Sequence, residues 1–275
     1  MLMYIIIIIE NEWSGKMFEH SYTILPSDAG TGGIIKPRNL VDCLQDAADM
    51  AAAEMKVDVH SIMELGYVWI LVQVRMAADR WPKLGEKITI RTWHSVTDGL
   101  YTFRAFDLRS DKGEAIMNGN TSWILLDLAR SRPVKPIVNL PHAFISDGES
   151  NPPVSSEFVE LPRKHSGFFK NAYTTNFSAR LHDLDANDHV NNAVYIEWAV
   201  ESVPKEIYMS HHLSGWDVIY RKGAHLGDDV IVDTKEELAS DKNSPARIFT
   251  GTINTKDDYL CTVRTCWLRF KAHNA

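Results

Sequence analysis

Cysteine is scarce in this chain: Cys43, Cys261 and Cys266 are the only three in 275 residues. They are too few and too widely spaced for a disulfide framework or a zinc site, so no metal is expected. Their odd number points to reduced thiols and hence to a cytoplasmic setting. Long apolar runs are lacking as well: no stretch reaches the ~20 residues a membrane span needs, and no membrane partner is expected. The apolar start, Met1-Leu2-Met3-Tyr4-Ile5-Ile6-Ile7-Ile8-Ile9, is cut off by Glu10-Asn11-Glu12. It has neither the basic start nor the small-residue cleavage site of a signal peptide. It reads either as an extra β-strand or as residues upstream of a start at Met17. Positive charge is in deficit, with a net charge of −7, which argues against a nucleic-acid partner. Asp28-Ala29-Gly30-Thr31-Gly32-Gly33-Ile34 fits neither the Walker spacing nor the dinucleotide fingerprint. It reads as a flexible turn, and no cofactor is expected.

What is present is ordinary in amount and informative in order. A hydrophobic fraction of 45% and a charged fraction of 24% suit a soluble globular protein. The length suffices for one large domain or two ordinary ones. Two markers recur along the chain. Leu84-Gly85-Glu86-Lys87-Ile88-Thr89-Ile90 is answered by Leu226-Gly227-Asp228-Asp229-Val230-Ile231-Val232. Thr121-Ser122-Trp123-Ile124 is answered by Thr265-Cys266-Trp267-Leu268. The offsets, 142 (226 − 84) and 144 (265 − 121), are nearly equal and suggest an internal duplication.

Each half shows the same order of elements. A strand near Phe18–Leu25 or Tyr173–Leu181 comes first, followed by a helix. In the first half Leu40, Leu44, Ala47, Ala48, Ala51 and Met55 share one helical face. In the second, Val194, Tyr195, Trp198, Ala199 and Val203 do so until Pro204, where the helix is expected to stop. Strand-like runs then follow at Tyr67–Met76, Lys87–Thr92, Tyr101–Leu108 and Ala115–Leu126. Their counterparts are Trp216–Arg221, Asp229–Glu236, Ala246–Asn254 and Tyr259–Phe270. One helix and a series of hairpin-like strands per half imply an α+β fold, with an antiparallel sheet packed on each helix. Between the halves, Arg132–His165 is rich in Pro, Ser, Asn and Asp and reads as a surface linker.

The chemistry concentrates in Leu184-Asp185-Ala186-Asn187-Asp188-His189-Val190-Asn191-Asn192, just before the second-half helix. A helix start offers free N–H groups and the positive end of the dipole, which favour a developing oxyanion. Any one of these polar residues is accounted for as a helix cap. A cap needs only one such residue, whereas this run gathers a carboxylate, an amide and an imidazole within five positions. His182, Asp185 and His189, or His211 and His212, have short spacings that are a weak metal signal.

The pattern D-x-N-x-H-V-N-N-x-x-Y-x-x-W, from Asp185 to Trp198, resembles the active-site signature of hotdog-fold thioesterases. Its continuation Glu201-Ser202-Val203-Pro204 resembles the acyl-acyl carrier protein (acyl-ACP) thioesterases of plants and bacteria. The shorter H-V-N-N-x-x-Y recurs in single-domain acyl-CoA thioesterases. The resemblance extends from about Phe18 onward.

It implies a tandem hotdog, each half an antiparallel sheet wrapped on one central helix. Residues 17–131 would form an N-terminal domain shaping the acyl pocket, 132–165 a linker and 166–275 the catalytic domain. The implied reaction is hydrolysis of fatty acyl-ACP to free fatty acid and carrier protein, with no metal or cofactor. Asp185, Asn187 and His189 would be catalytic, and Asn191, Asn192, Tyr195 and His225 would contact substrate. The thioester carbonyl would sit over the second-half helix N-terminus. Asp185 or His189 would activate water while Asn187 positions it or orients the imidazole; a carboxylate nucleophile is also open.

The implied partner is acyl carrier protein with its acyl-phosphopantetheine arm. Arg130, Arg132, Lys135, Arg163, Lys164 and Lys170 would either receive this acidic partner or form solvated surface. A tandem hotdog provides within one chain the pairing that single-domain relatives achieve as dimers, and a homodimer stays open. One departure stands out. In the run Lys222-Gly223-Ala224-His225-Leu226-Gly227-Asp228, Gly223 occupies the place where the family has Glu. Alanine at 224 removes the cysteine found there in plant enzymes. His225 is either a replacement polar group or a turn residue. The alternatives are an acyl-CoA thioesterase or a weakly catalytic acyl-thioester-binding protein. A hotdog hydratase is disfavoured, because its D-x-N-P-[LI]-H spacing is not present.

Overall fold

A computed structural model describes residues 17–141, 172–237 and 245–270, together with Phe144, Leu161 and Phe169. The apolar start at 1–9, Arg163, Lys164, Lys170 and most of segment 132–165 lie outside the described residues.

The first half runs β1 (Phe18–Thr23), α1 (Pro37–Glu54), α2 (Val59–Glu64), β2 (Tyr67–Ala78), β3 (Lys87–Asp98), β4 (Tyr101–Ser110) and β5 (Ala115–Asp127). A short strand β6 (Arg132–Val134) and a single helical turn α3 (Pro136–Asn139) follow. The opening of the proline-rich connection is therefore ordered structure, with β6 paired to the end of β5. The second half runs β7 (Tyr173–Ser178), α4 (Asn192–Glu201), α5 (Lys205–Ser210), β8 (His211–Tyr220), β9 (Asp229–Glu236), β10 (Ala246–Asn254) and β11 (Tyr259–Arg269).

All these strands join one antiparallel sheet in the order β1-β3-β4-β5-β2-β8-β11-β10-β9-β7. The order read from either edge is the same, β1-β3-β4-β5-β2 matching β7-β9-β10-β11-β8. The two half-sheets meet where β2 pairs with β8, from Gln73↔Ile219 to Ala77↔Gly215. At the centre of this seam Arg75 faces Asp217, an offset of 142 (217 − 75), the offset of the Leu-Gly markers. A residue on a two-fold axis of antiparallel pairing faces its own counterpart, so the duplication read from the sequence is also the pseudo-symmetry of the sheet.

The markers have physical reasons to recur. Gly85 and Gly227 both take left-handed φ values, 80° and 82°, where a side chain is disfavoured. Trp123 Nε1 donates to Thr121 Oγ1 at 2.8 Å, and Trp267 Nε1 to Thr265 Oγ1 at 2.9 Å. The Thr-x-Trp spacing puts both residues on one face of a strand, so each indole N–H finds its partner two positions back.

Helix α1 buries Leu40, Leu44, Ala47, Ala48 and Ala51, the face its spacing predicts, while Met55 caps its end partly exposed. Helix α4 is buried on nearly every side: Ala193, Val194, Tyr195, Ile196, Trp198, Ala199 and Val200 are all inaccessible. It ends at Glu201, before Pro204; Ser202 caps it, and Pro204 instead starts α5. The following strand begins at His211, five residues earlier than expected, so His211 and His212 lie within it.

The helices of the two halves are tied together by charge. Arg38 of α1 donates to Asp183 Oδ1 at 3.1 Å and to Glu197 Oε2 of α4 at 2.8 Å. Arg180 chelates the same Asp183 carboxylate through Nε and Nη2, both at 2.9 Å. The Asp183 side chain has no solvent exposure. Burial alone would raise its pKa, but the bonds from Arg180 and Arg38 outweigh it and hold the carboxyl below the ordinary aspartate value.

This carboxylate therefore stabilises the fold above pH ~4, and the contribution is lost as pH falls through the depressed folded-state pKa. Asp183→Asn should cost about 3 kcal/mol at neutral pH, the scale for breaking a buried ion pair. Urea unfolding at pH 7 and near pH 3 checks both magnitude and sign. The gap between wild type and variant should narrow in acid; a gap independent of pH would contradict the assignment.

Candidate active site

The loop before α4 is closed by an isolated bridge between Leu184 and Val190. Inside it, Asp185 N–H donates to His189 O at 2.8 Å. Asp185 Oδ1 accepts from the N–H of Asn187 at 2.8 Å and of His189 at 3.3 Å. Asp188 takes a φ of 59°, a conformation aspartate and asparagine tolerate better than most residues. One oxygen of Asp185 thus shapes the loop. Its Oδ2 has no hydrogen-bond partner among the described residues.

His189 Nδ1 lies 2.8 Å from Asn187 O. A carbonyl only accepts, so Nδ1 carries the proton and Nε2 keeps its lone pair when the ring is neutral. Val190 N–H donates to Ala224 O at 2.9 Å, and Ala224 N–H donates to Tyr195 Oη at 2.8 Å. These two bonds fasten the loop at 222–225 to the start of α4.

Asn191 caps α4. Its Oδ1 accepts from Ala193 N–H at 2.8 Å and from Gln45 Nε2 of α1 at 3.1 Å. Its Nδ2 donates to Asp42 Oδ1 of α1 at 3.4 Å. The amide orientation follows from these three partners. The N–H of Asn192, at the first position of the helix, has no acceptor among the described residues. The same holds for the side-chain amides of Asn187 and Asn192.

These groups open onto a cavity of about 430 Å³ between α1 and the sheet. Asp185, Asn187, Asn191 and Asn192 line it from the second half, and Asp42 and Gln45 from the first. Its walls are largely apolar, including Leu44, Ala48, Leu71, Val74, Met76 and Phe106. Trp216 and Tyr220 reach it from β8 across the seam. Buried His94 and Arg104 also line it. Burial and the Arg104 charge push the His94 imidazole down to about 4, so it is neutral at physiological pH. His94 bonds the Phe144 carbonyl at 3.0 Å and Thr97 Oγ1 at 2.9 Å.

The residues singled out from the sequence therefore separate. Asp185, Asn187, Asn191 and Asn192 come together at the cavity. His189 is exposed on the loop beside it, its ring 4.8 Å from that of His225, and neither lines the cavity. His225 N–H donates to Asp228 Oδ2 at 2.8 Å, as a turn residue does. Tyr195 is 1% exposed and its hydroxyl is used by Ala224, so it supports the site rather than touching the cavity. A Cβ built on Gly223 would lie 2.9 Å from His189 Cδ2, so this position does face the imidazole. Gly223 is not in the left-handed region, and its backbone does not demand glycine.

Among the described residues, no group of three or more His, Cys, Asp or Glu side chains is placed to hold a metal. Two of the three thiols are ill suited to catalysis: burial drives Cys43 up to about 12 and Cys261 higher still. Of the basic residues considered for partner binding, Arg130 pairs with Asp127 at 3.6 Å. Sequence reasoning missed Asp42, Gln45, Asp46 and Asp49, which all line the cavity. Their spacing of i, i+3, i+4 and i+7 marks one polar face of α1, a signal that looks like a solvated face when the helix is read alone.

Residues 15–139 match the model of the acyl-ACP thioesterase N-terminal domain, and residues 169–269 that of the C-terminal domain. The dodecanoyl-[acyl-carrier-protein] hydrolase of Cinnamomum camphora is 28% identical over 160 residues, 56% of this chain and 41% of that one. The palmitoyl-acyl carrier protein thioesterase of Gossypium hirsutum is 26% identical over 251 residues, 87% of this chain and 59% of that one. The chain thus spans less than two thirds of the length of these curated relatives. An acyl-ACP thioesterase of Bacteroides thetaiotaomicron superposes with a TM-score of 0.78 at 20% identity, over 91% of this chain and 97% of that one. The expected α+β tandem hotdog is the observed fold. No helix among the described residues is long and apolar enough to cross a membrane.

If Tyr195 is a structural support, Tyr195→Phe leaves the buried Ala224 N–H without an acceptor. The expected cost is about 1–3 kcal/mol, read by urea unfolding. A substrate contact would instead raise KM with stability unchanged.

Proposed function

We propose, on the premise that this chain belongs to the acyl-ACP thioesterase family, that it hydrolyses fatty acyl-acyl carrier protein to free fatty acid and carrier protein. The observation that carries this reading is an apolar cavity that ends at unpaired donors on a helix N-terminus, beside a carboxylate with a free oxygen. An acyl chain fits the apolar walls, and its thioester carbonyl fits over the Asn192 N–H. That N–H, the helix dipole and the Asn192 amide stabilise the oxyanion that forms on attack.

Asp185 is the activating group. Its Oδ1 is fixed by two backbone N–H groups, and Oδ2 is left to take a proton from water held by the Asn187 amide. Water oxygen bonds to the carbonyl carbon, the C–S bond breaks, and the phosphopantetheine sulfur leaves as a thiol after gaining a proton. His189 acts through its bond to the Asn187 carbonyl, holding the loop and its amide in place. The arm of acyl carrier protein is the thiol partner in this scheme, and the protein would act where that carrier is made.

Thiol release from acyl carrier protein loaded with medium and long acyl chains tests the activity directly. The wild-type protein is expected to turn over, and Asp185→Asn to lose ~100- to 10,000-fold in kcat. The loss on His189→Ala should be smaller than on Asp185→Asn. Turnover of acyl-CoA alone would redirect the reading to a coenzyme A thioesterase. Tight binding of acyl carrier protein without thiol release would redirect it to a binding protein.

A further inference from the structure

The proposed scheme leaves one proton unassigned, the one gained by the departing sulfur. We infer, resting on the thioesterase reading above, that Asp42 supplies it: the first half contributes a proton donor to a site whose water-activating carboxylate belongs to the second.

Asp42 reaches the cavity from α1, whereas Asp185 reaches it from the loop before α4. It lines the same cavity as Asp185, Asn187 and Asn192. Its Oδ1 accepts from Asn191 Nδ2 at 3.4 Å, so it lies one side chain away from the cap of α4. Its Oδ2 has no hydrogen-bond partner among the described residues. Gln45, one turn along α1, holds the other end of the same Asn191 amide. Helix α1 therefore grips the α4 N-terminus with one oxygen of Asp42 and leaves the other to the cavity.

The surroundings of Asp42 suit a proton donor. Burial is the largest influence and favours the neutral carboxyl. Arg38 on the same helix opposes it, but that guanidinium is already committed to Asp183 and Glu197. Asp46 on α1 and Glu197 on α4 add repulsion that favours the neutral form, and Asn191 bonds the charged form. Asp185 Oδ1, by contrast, accepts from two backbone N–H donors of its own loop. With one carboxyl buried on α1 and the other bonded to backbone donors in the loop before α4, the two divide into an acid and a base. An acyl chain filling the cavity displaces water and deepens the burial that already raises the Asp42 pKa.

The proton count closes. Asp185 takes one proton from the attacking water, and Asp42 gives one to the sulfur as the C–S bond breaks. The proton on Asp185 then returns to Asp42 through solvent after the products leave. The net change is one thioester and one water giving one carboxylic acid and one thiol.

The test is Asp42→Asn in the full-length chain, assayed on two thioesters. Asparagine keeps an acceptor for Asn191 Nδ2, so the grip on α4 persists while the transferable proton is lost. On acyl carrier protein, kcat should fall about 100-fold, the lower end for general acid–base work, with KM little changed. The wild-type kcat should fall as pH rises and Asp42 loses its proton, and this fall should be absent from the variant. On an acyl thioester of an aryl thiol, which departs as a stable thiolate, the loss should be under about 5-fold because a low leaving-group pKa removes the need for a donor.

Equal losses on both thioesters, or wild-type kcat and pH profile on the carrier substrate, would overturn the assignment of Asp42. A melting temperature measured beside the rates guards against misfolding. Asp42→Glu provides a second readout, since a carboxyl on a longer stem should recover turnover of the carrier substrate and shrink the gap between the two thioesters, and a carrier-substrate loss as large as that of Asp42→Asn counts against the proposal. A wild-type protein that releases no thiol from any acyl carrier protein would instead overturn the thioesterase reading.

Discussion

The pairing of β2 with β8 is the constraint on which the rest of this molecule depends. Five register pairs, from Gln73↔Ile219 to Ala77↔Gly215, turn two half-sheets into one. Each hydrogen bond in such a ladder adds only about 1 kcal/mol net. The larger share of the free energy comes from the apolar surface the seam closes over. Met76, Trp216 and Val218 are all nearly inaccessible at this junction, and a large buried side chain contributes about 1.5–3 kcal/mol. The polar pair at the centre, Arg75 and Asp217, is 3.8 Å apart, and burial raises the Asp217 pKa against the pull of Arg75 and Arg264. The seam is held by its apolar neighbours, and this pair chiefly specifies its register. A slip of one residue would turn Trp216 out of the core.

Because the seam fixes one half against the other, α1 lies beside α4, and the cavity of the first half opens at the helix terminus of the second. Duplication preserved what the scaffold needs in both halves: the glycine turns at 85 and 227, and the Thr-x-Trp bonds at 121–123 and 265–267. It did not preserve the helix starts. Helix α1 begins at Pro37 after Lys36, with no side-chain cap. Helix α4 is capped by Asn191 and preceded by the Asp185–His189 loop. The two halves therefore differ at the helix starts, and α1 supplies wall and polar bonds to the cavity that the start of α4 lines.

Much of this was legible in the chain. The apolar stripe Leu40, Leu44, Ala47, Ala48, Ala51 fixed the buried face of α1, and the Leu-Gly pairs located matching turns because only glycine sits comfortably at φ near 80°. Asp185, Asn187, Asn191 and Asn192 were found because carboxylates and amides crowd a helix start beyond the need for a cap. Other assignments required contacts that spacing does not encode. His189 stands two residues from Asn187, but the turn organised by Asp185 Oδ1 sends its ring outward. Tyr195 lies on the apolar face of α4, where its hydroxyl meets Ala224 from a segment 29 residues away. Asp42 and Gln45 were hidden for the converse reason. A polar stripe on a helix looks the same whether it faces water or the polar cap of a neighbour 146 residues distant.

The glycine at 223 joins these points into one argument. Its missing Cβ would stand 2.9 Å from His189 Cδ2, so a side chain there and the present imidazole position compete for the same space. Without a side chain at 223, His189 settles against the backbone of that loop, beside His225 and outside the cavity. The 222–225 loop itself carries no carboxylate. The carboxylates that do reach it come from the α4 loop and from α1, and the second of these crosses between the halves. Proton chemistry in such an arrangement becomes a property of the seam: whatever shifts α1 relative to α4 changes the Asp42–Asn191 bond and the cap together, because one amide serves both.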